Sequence, residues 1–596
     1  MDLECEDFAR RPPLGESLFD GFLRAARRNW HRPAVSDTTG RAMTYGRLVA
    51  ACVVLRGALE GAVNAAACRS FSLRTDNGGE GAAVSSRCAV SSVGGVGGRV
   101  RTSGPAELGR PVLAIALPPG VEAVIANMTA YSMGMIPVHL NYMASGDVLR
   151  AIRDRAGFTH VLTSRRLLKQ RAAALPGEPI AIEDALDGVG PLRAAAIHAL
   201  LSCLPFALLR AILNPLPPGP DDVAAVVFSS GSTGAPKGVM QTHRNIRSNV
   251  EAVALAMPIT ADDAVAGVLP FFHSFGLTRT LWTPLLLGLR ADYHSNALDP
   301  RGVGELVASR RSTILLATPT FCRLYLTRVE PRQFASLRAV IVGAEKIQPA
   351  VAEAFEARFG CPVYESYGST ELSPVIAANM PDWNLPGRRR KRSKRGTVGR
   401  PIPGVRVCVT ALDPEAAGGC LPPGADSVLP PGRVGMLWVR GPSLMKGYLG
   451  EPQRTAEVLH DGWFRTGDLA SVDADGFITL HGRLSRFSKI AGETVPHESV
   501  KSVMQGAAGG AARVVVTGVP DRKRGERLVV LVEGQVNPDA LLAAARRADL
   551  PNRWIPRRED FFAVEALPVL GSGKLDLKRL DDLARRLAGV PEGEAS

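Results

Sequence analysis

The chain has no C-x-x-C pair: its nine cysteines, at 5, 52, 68, 88, 203, 322, 361, 408 and 420, are scattered over 596 residues. Zinc ribbons and dithiol redox sites need close pairs, and disulfide scaffolds need a denser set, so reduced thiols in a cytoplasmic protein are expected. Long apolar runs are also missing. The most apolar stretch, Ala194 to Leu209, is interrupted by His198 and Pro205 and is too short to span a bilayer. It reads as a buried or amphipathic helix, with peripheral contact at the inner face of a membrane as a secondary expectation. The amino terminus, MDLECEDFARRPP, is acidic without an apolar core, so no secretory signal is expected. The GGVGG at Gly94 to Gly98 lacks the G-x-G-x-x-G spacing of a dinucleotide site.

Acidic residues are the minority. Lys and Arg outnumber Asp and Glu by 71 to 57, a net charge of +14 that suits an anionic substrate and is mild for this length. Much of the excess is local, since RRRKRSKR at 388–395 places seven basic residues in eight positions. The surrounding 386–396 segment reads as a solvated, mobile loop, with contact to nucleic acid, anionic lipid or an acidic partner as the sharper alternative. No aromatic residue interleaves with it, so base stacking is not indicated and no nucleic-acid partner is expected.

What is present begins with SSGSTGAPKG, Ser229 to Gly238. Glycines let backbone N–H groups approach a ligand, hydroxyls donate to oxyanions, and Lys237 adds positive charge, which together make a polyphosphate cradle. The apolar run Val223 to Phe228 leads into it as a buried strand would. It is not a Walker loop, because Pro236 precedes Lys237 and Gly238 follows it. Taken alone, its composition also allows the lesser reading of a Gly/Ser-rich loop without a ligand.

The rest of the chain supplies context. Its length exceeds a single core. Ser17 to Val54 reads as helix, short strand and helix; 62–110 is rich in Gly, Ala, Ser and Arg and reads as a low-complexity insertion. From Val112 strands and helices alternate to about residue 380, which predicts a largely parallel sheet with helices on its faces. Gly396 to Ile478 is β-rich, and a small α/β module follows.

Three further stretches carry chemistry. YESYGSTELSPV, Tyr364 to Val375, gathers an aromatic, a glycine, hydroxyls and a carboxylate between Tyr367 and Glu371. An aromatic stacks on a purine, a hydroxyl donates to phosphate, and a carboxylate holds Mg²⁺ beside phosphates. GWFRTGDLASVDADGFITLHGR, Gly462 to Arg483, presents Asp468 in a tight turn and Arg483 at a hairpin end, and LPVLGSGKLD, Leu567 to Asp576, presents Lys574 between small residues.

These four elements, in this order, resemble the adenylate-forming superfamily of acyl-CoA synthetases, nonribosomal peptide adenylation domains and luciferases. The resemblance covers nearly the whole chain outside 62–110 and the basic loop. It implies an α/β fold: an N-terminal adenylation domain, 1–482, with parallel sheets flanked by helices and a β-rich subdomain, and a small mobile C-terminal α/β domain, 483–596. It also implies that Ser229, Ser230, Gly231, Ser232, Thr233, Gly234 and Lys237 line the triphosphate of ATP. Tyr367 and Gly368 would meet adenine, Thr370 the α-phosphate, Glu371 the Mg²⁺, and Asp468 with Arg483 the ribose. Lys574 would bridge the substrate carboxylate and the α-phosphate.

The hinge maps to Ser485, where many members carry Asp or Lys, so serine is a departure; Lys489 and Gly492, on the thiol side, match the family pattern. FFHSFGLT and VIVGAEKIQP resemble the elements of the acyl pocket, which gives His273, Gly343, Ala344 and Glu345 as its wall, although a lone histidine is as readily a satisfied core residue. No Asp stands where amino-acid-activating members clamp an amine, which favours a fatty acid. GAEKIQ and RFSKIAGETV look closest to bacterial acyl-[acyl-carrier-protein] synthetases, the ligase half of acylglycerophosphoethanolamine acyltransferase proteins. The expected reaction is therefore fatty-acid adenylation followed by transfer to acyl carrier protein, with coenzyme A as the alternative acceptor and a non-catalytic acyl- or nucleotide-binding paralogue as a weaker one. His294 and Asp299 match an acyltransferase H-x-x-x-x-D spacing, which is read as coincidence because the adenylation domain leaves no room for that fold.

Overall fold

The computed structural model describes residues 17–75, 105–187, 190–230, 236–385, 388–412, 420–424, 426–484, 487–490, 493–508, 512–521, 523–548, 550–569 and 575–590. Its architecture follows from short strands that are apolar throughout. Val112–Ala116, Ala264–Gly267 and Ile314–Ala317 are buried at every position. A strand with no polar face belongs inside a parallel sheet covered by helices on both sides.

Two such sheets form. The nine-stranded one runs Arg400–Pro401, Val375–Ala378, Val363–Gly368, Ala339–Val342, Ile314–Ala317, Ala264–Gly267, Arg290–Tyr293, Pro33–Asp37 and Ala42–Thr44. It is parallel from Val363–Gly368 to Pro33–Asp37 and antiparallel at its edges. The seven-stranded sheet runs Gly447–Tyr448, Pro236–Thr242, Val223–Ser230, Ile136–His139, Val112–Ala116, His160–Thr163 and Glu178–Ala181. Its first two pairings, Gly447–Tyr448 with Pro236–Thr242 and Pro236–Thr242 with Val223–Ser230, are antiparallel and the rest parallel. The connecting helices start on side-chain caps such as Ser145, Asp299 and Thr318, each accepting an otherwise orphaned N–H of its first turn.

The β-rich region is a third, antiparallel sheet containing Arg406–Thr410, Gly435–Arg440, Leu459–His460, Trp463–Val472 and Ile478–Arg483. Trp438 is buried in it, and its indole N–H donates to Thr410 Oγ1 at 3.0 Å. Beyond it a fourth sheet joins Phe487–Ile490, Glu493–Pro496, Ala512–Asp521, Gly525–Gly534 and Phe561–Val564 around an apolar cluster of its own that includes Ile490, Val500, Met504 and Val530.

The helix Tyr45–Thr75 runs into the first part of 62–110, where its alanines keep the propensity that sustains a helix, and residues 76–104 of that segment lie outside the described residues. Two expectations are corrected. The apolar stretch from Ala194 is two helices, Pro191–Cys203 and Phe206–Leu213, parted at Pro205, whose missing N–H and fixed φ end the first and open the second. The basic run is tied down rather than mobile. Its strand Arg388–Arg390 pairs with Trp383–Leu385, Arg392 is buried and donates to the Ala256 carbonyl, and Arg395 bridges Glu353 and Glu356. Among the described residues no helix is long and apolar enough to cross a membrane.

The two-helix segment is anchored by Asp20. This buried carboxylate accepts from Arg210 Nε at 2.8 Å, Arg210 Nη2 at 3.1 Å and Asn214 Nδ2 at 3.1 Å. Burial raises its pKa, but the bonds from Arg210 and Asn214 outweigh that and hold it below the usual carboxylate range. A lowered folded-state pKa contributes stability that is present above the unfolded value of 3.8 and is lost as pH falls through the folded one. Asp20→Asn is therefore expected to destabilise the protein at neutral pH, with the gap to wild type shrinking as pH drops below about 4 in urea titrations.

Candidate active site

Thr370 and Glu371 stand where the sheets meet. They follow the strand Val363–Gly368 on a short 3-10 turn, Thr370–Leu372, at the carboxyl end of the parallel array, where open α/β sheets bind ligands. Gly368 is required there: a Cβ at this position would lie 2.1 Å from the Pro374 carbonyl oxygen. From the seven-stranded sheet Gln241 Nε2 donates to the Thr370 carbonyl at 2.7 Å, and the Tyr448 hydroxyl donates to Glu371 Oε1 at 2.9 Å. Ser274, beside His273, donates its hydroxyl proton to Thr370 Oγ1 at 3.3 Å.

Asn249 fixes the far side of the turn. Its buried amide donates to the Leu372 and Val375 carbonyls at 3.1 and 2.8 Å, and its Oδ1 accepts from the Val375 N–H at 3.3 Å and from Arg279. Both amide N–H bonds and both oxygen lone pairs are used.

The third sheet contributes a carboxylate and a guanidinium. Asp468 and Arg483 are cross-strand partners, and Arg483 Nε donates to Asp468 Oδ1 at 2.7 Å. The Tyr367 hydroxyl donates to the other oxygen, Asp468 Oδ2. Burial first, then the Asp468 charge, push the Tyr367 pKa well up, so the phenol stays protonated. The same carboxylate raises the pKa of Arg483 and keeps it charged.

The polyphosphate strip is a hairpin tip. Ser229 pairs with Lys237 and Ser230 with Pro236 across the strands Val223–Ser230 and Pro236–Thr242, which closes the base of the tip. Gly238 lets the Phe228 ring approach, since a Cβ there would lie 3.0 Å from it. Lys237 Nζ lies 5.5 Å from the Tyr448 ring centre, and burial lowers its pKa while Glu371 raises it. Gly231, Ser232, Thr233 and Gly234 lie outside the described residues, as do Ser485, Gly492 and Lys574. The loop bearing Lys574 is closed at its base by a bridge between Val569 and Leu575. Lys489 lies on the strand Phe487–Ile490, opposite Thr494.

Of the acyl-wall candidates, Gly343 faces Phe275 and Ser366; a Cβ on it would lie 3.2 Å from the Phe275 ring. Ala344 adopts φ +73°, an uncommon left-handed conformation for a residue with a Cβ. His273 accepts the Phe275 N–H on Nδ1 at 3.3 Å and so caps the helical turn after it. Glu345 is held aside, since one of its oxygens accepts from Thr320 Oγ1 at 2.9 Å. His294 and Asp299 serve the fold: Asp299 caps the helix Pro300–Arg310 and lies 3.5 Å from His294.

Sequence reasoning missed Asn249, Tyr448, Gln241 and Glu365. Tyr448 sits in MKGYLG, an aromatic framed by glycines, which is a weak but legible signal; the amides carry none. Glu365, two residues before Tyr367, is buried, accepts the Ile347 N–H at 3.3 Å, and has its pKa pushed up to about 7 by burial.

Comparisons with known proteins agree with this geometry. The model of the family described as AMP-binding enzyme matches residues 109–449. A feruloyl-CoA synthase from Amycolatopsis sp is 34% identical over 368 residues, 60% of this chain and 70% of the relative. A long-chain-fatty-acid--CoA ligase from Bacillus subtilis is 30% identical over 396 residues, 65% and 66% of the two chains. Among solved structures, ATP-bound MatB from Rhodopseudomonas palustris superposes with a TM-score of 0.70 at 22% identity, covering 95% of this chain and 98% of that one. An anthranilate CoA ligase in complex with anthranoyl-AMP gives 0.73 at 18% identity, covering 97% and 99%. The chain belongs to the AMP-binding enzyme family and is an ATP-dependent, acyl-adenylate-forming acid-thiol ligase.

Two outcomes are expected. Asn249→Ala strands the Leu372 and Val375 backbone groups and a buried guanidinium, at a cost of about 3–5 kcal/mol in urea unfolding. Glu365 has a raised folded-state pKa, so wild type loses stability as pH rises from about 4.5 through about 7, and Glu365→Gln should flatten that slope.

Proposed function

We propose that the protein activates a long-chain fatty acid with ATP and passes the acyl group to coenzyme A. The observation that carries this reading is the clamped Thr370–Glu371 turn beside an apolar wall of Phe275 and Gly343, in a chain whose relatives include long-chain-fatty-acid--CoA ligases. Acyl carrier protein is the second acceptor considered, favoured by GAEKIQ and RFSKIAGETV. The tethering of Arg392 and Arg395 counts against the basic run as its dock.

In this reading a carboxylate oxygen of the acid attacks the α-phosphorus and pyrophosphate leaves. The thiol then attacks the carbonyl carbon, AMP leaves, and the thiol proton passes to solvent. Tyr367 and Gly368 frame adenine. Asp468 accepts from the ribose hydroxyls, with Arg483 holding its carboxylate in place. Ser229, Ser230, Gly231, Ser232, Thr233, Gly234 and Lys237 surround the β- and γ-phosphates, and Thr370 donates to the α-phosphate. Charge neutralisation, rather than a protein nucleophile, lowers the barrier.

Glu371 fits a magnesium role. Among the described residues no set of three or more His, Cys, Asp or Glu side chains is placed to hold a metal alone. One carboxylate completed by phosphate oxygens and water is the usual arrangement for Mg²⁺. When bound, the ion would offset phosphate charge, and Tyr448 would keep Glu371 oriented toward it. Lys574 would bridge the acid and the α-phosphate, and the 483–596 domain would swing about Ser485 to bring Lys489 and Gly492 toward the thiol.

A paired assay tests the acceptor: protein, Mg²⁺-ATP and a long-chain acid, with coenzyme A in one tube and holo-acyl carrier protein in the other. Thioester on coenzyme A is the expected product. Thioester on carrier protein alone would transfer the assignment, and the absence of AMP in both would refute the acid. Lys574→Ala is expected to cut pyrophosphate exchange about 10²–10³-fold with the fold intact; near-normal exchange would remove Lys574 from the mechanism.

A further inference from the structure

The loop that carries the candidate acyl wall, 343–348, is fastened on two sides. It leaves the strand Ala339–Val342, with the Gly343 N–H donating to the Ala317 carbonyl at 3.2 Å, and ends at the helix Pro349–Phe359. One Glu345 oxygen accepts from Thr320 Oγ1 at 2.9 Å and the Gln348 side-chain oxygen accepts from Arg323 Nη2 at 2.6 Å, which ties one side to the helix Pro319–Arg328. The other side is tied by Glu365, whose Oε1 accepts the Ile347 N–H at 3.3 Å. Glu365 lies on the strand Val363–Gly368, which leads to Thr370 and Glu371, and stands in register with Val342, the residue before Gly343. One carboxyl group thus joins the wall to the adenylating turn.

Ala344 gives that bond its importance. Its φ of +73° strains a residue with a Cβ, and such a conformation persists only where the surroundings hold it. Released at Ile347, the loop would relax through Ala344. Gly343, whose missing side chain leaves room for the Phe275 ring, would move with it.

The carboxyl group has few charged neighbours. The strands on either side, Ala339–Val342 and Val375–Ala378, carry no ionisable side chain. On the helix Pro349–Phe359, Glu353 and Glu356 accept from Arg395, and Arg358 donates to the Val329 carbonyl. Burial raises the Glu365 pKa to about 7, against the Ile347 N–H and the Lys346 charge, which lower it. The group therefore changes ionisation near neutral pH, and an ionised acceptor makes the stronger bond to an N–H.

We propose that Glu365 is a positioning residue for the acid, setting the wall at Gly343 and Ala344 through the Ile347 N–H, firmly as a carboxylate and loosely when protonated. This rests on the acid-activating reading above and is independent of the thiol acceptor. Deprotonation firms the wall while it costs folding stability, so the two effects run in opposite directions. The KM for the acid should fall through the same pH range in which stability declines.

Pyrophosphate exchange, which needs no thiol, tests it when the long-chain acid and ATP are varied in turn. Acid solubility and ATP ionisation change alike for every protein, so the quantity read at each pH is the acid KM of Glu365→Gln divided by that of wild type. The glutamine oxygen still accepts the N–H but cannot ionise. The ratio is expected to rise from near unity at about pH 6 to about fivefold at about pH 8, with kcat and the KM for ATP alike in the two proteins. Hydrogen exchange on wild type reads the bond without substrate: corrected for intrinsic rate, protection of the Ile347 amide should increase over the same range. A ratio constant with pH, an ATP KM that moves with the acid KM, or unchanged Ile347 protection overturns the proposal. Exchange with a shorter acid but not the long-chain one removes only the acid class, and the ratio then decides on the shorter acid; exchange with no acid overturns the proposal and the reading together.

Discussion

A single buried amide holds the site together. Asn249 uses both N–H donors and both oxygen lone pairs on the segment after Thr370 and on Arg279. In a low-dielectric interior each bond is strengthened and each missing partner is costly, so this segment has one arrangement in which every polar group is satisfied. Thr370 and Glu371 inherit their position from it. Gln241 and Tyr448 can then reach them from a different sheet because the turn is already in place.

Around that fixed point three sheets each supply what they are suited to supply. The parallel sheets are buried on both faces and rigid, so their carboxyl ends offer backbone and short side chains at defined positions. The antiparallel third sheet contributes Asp468 and Arg483 as a cross-strand pair, a geometry that register alone enforces. The Tyr367 hydroxyl couples the first sheet to the third through Asp468. Ligand groups would therefore meet side chains already oriented by the protein, which lowers the ordering cost of binding.

The two outward-facing apolar helices show the opposite principle. Their inner residues pack as the core requires, while their outer residues break the pattern that keeps a surface helix in water. Asp20 and Arg210 fasten the pair to the body of the protein.

Much of this was legible in the sequence. SSGSTGAPKG, YESYGSTE, TGD and the alternation of apolar strands with helices are local patterns, and the family reading and the α/β class follow from their order. Gly368 and Gly238 could be read as close-approach glycines because a missing side chain is itself a local signal. Asn249, Gln241 and Glu365 could not, since a buried amide or carboxylate is defined by partners far along the chain: Asn249 bonds to residues 123 and 126 positions away. The same reason explains the basic run, which composition made a loop and tertiary ion pairs made a fixed hairpin. Sequence determined which groups this protein has for chemistry, because motif residues are neighbours in the chain; only the tertiary structure decided which buried groups hold them in place and which apolar helices remain uncovered, because burial is a property of long-range packing.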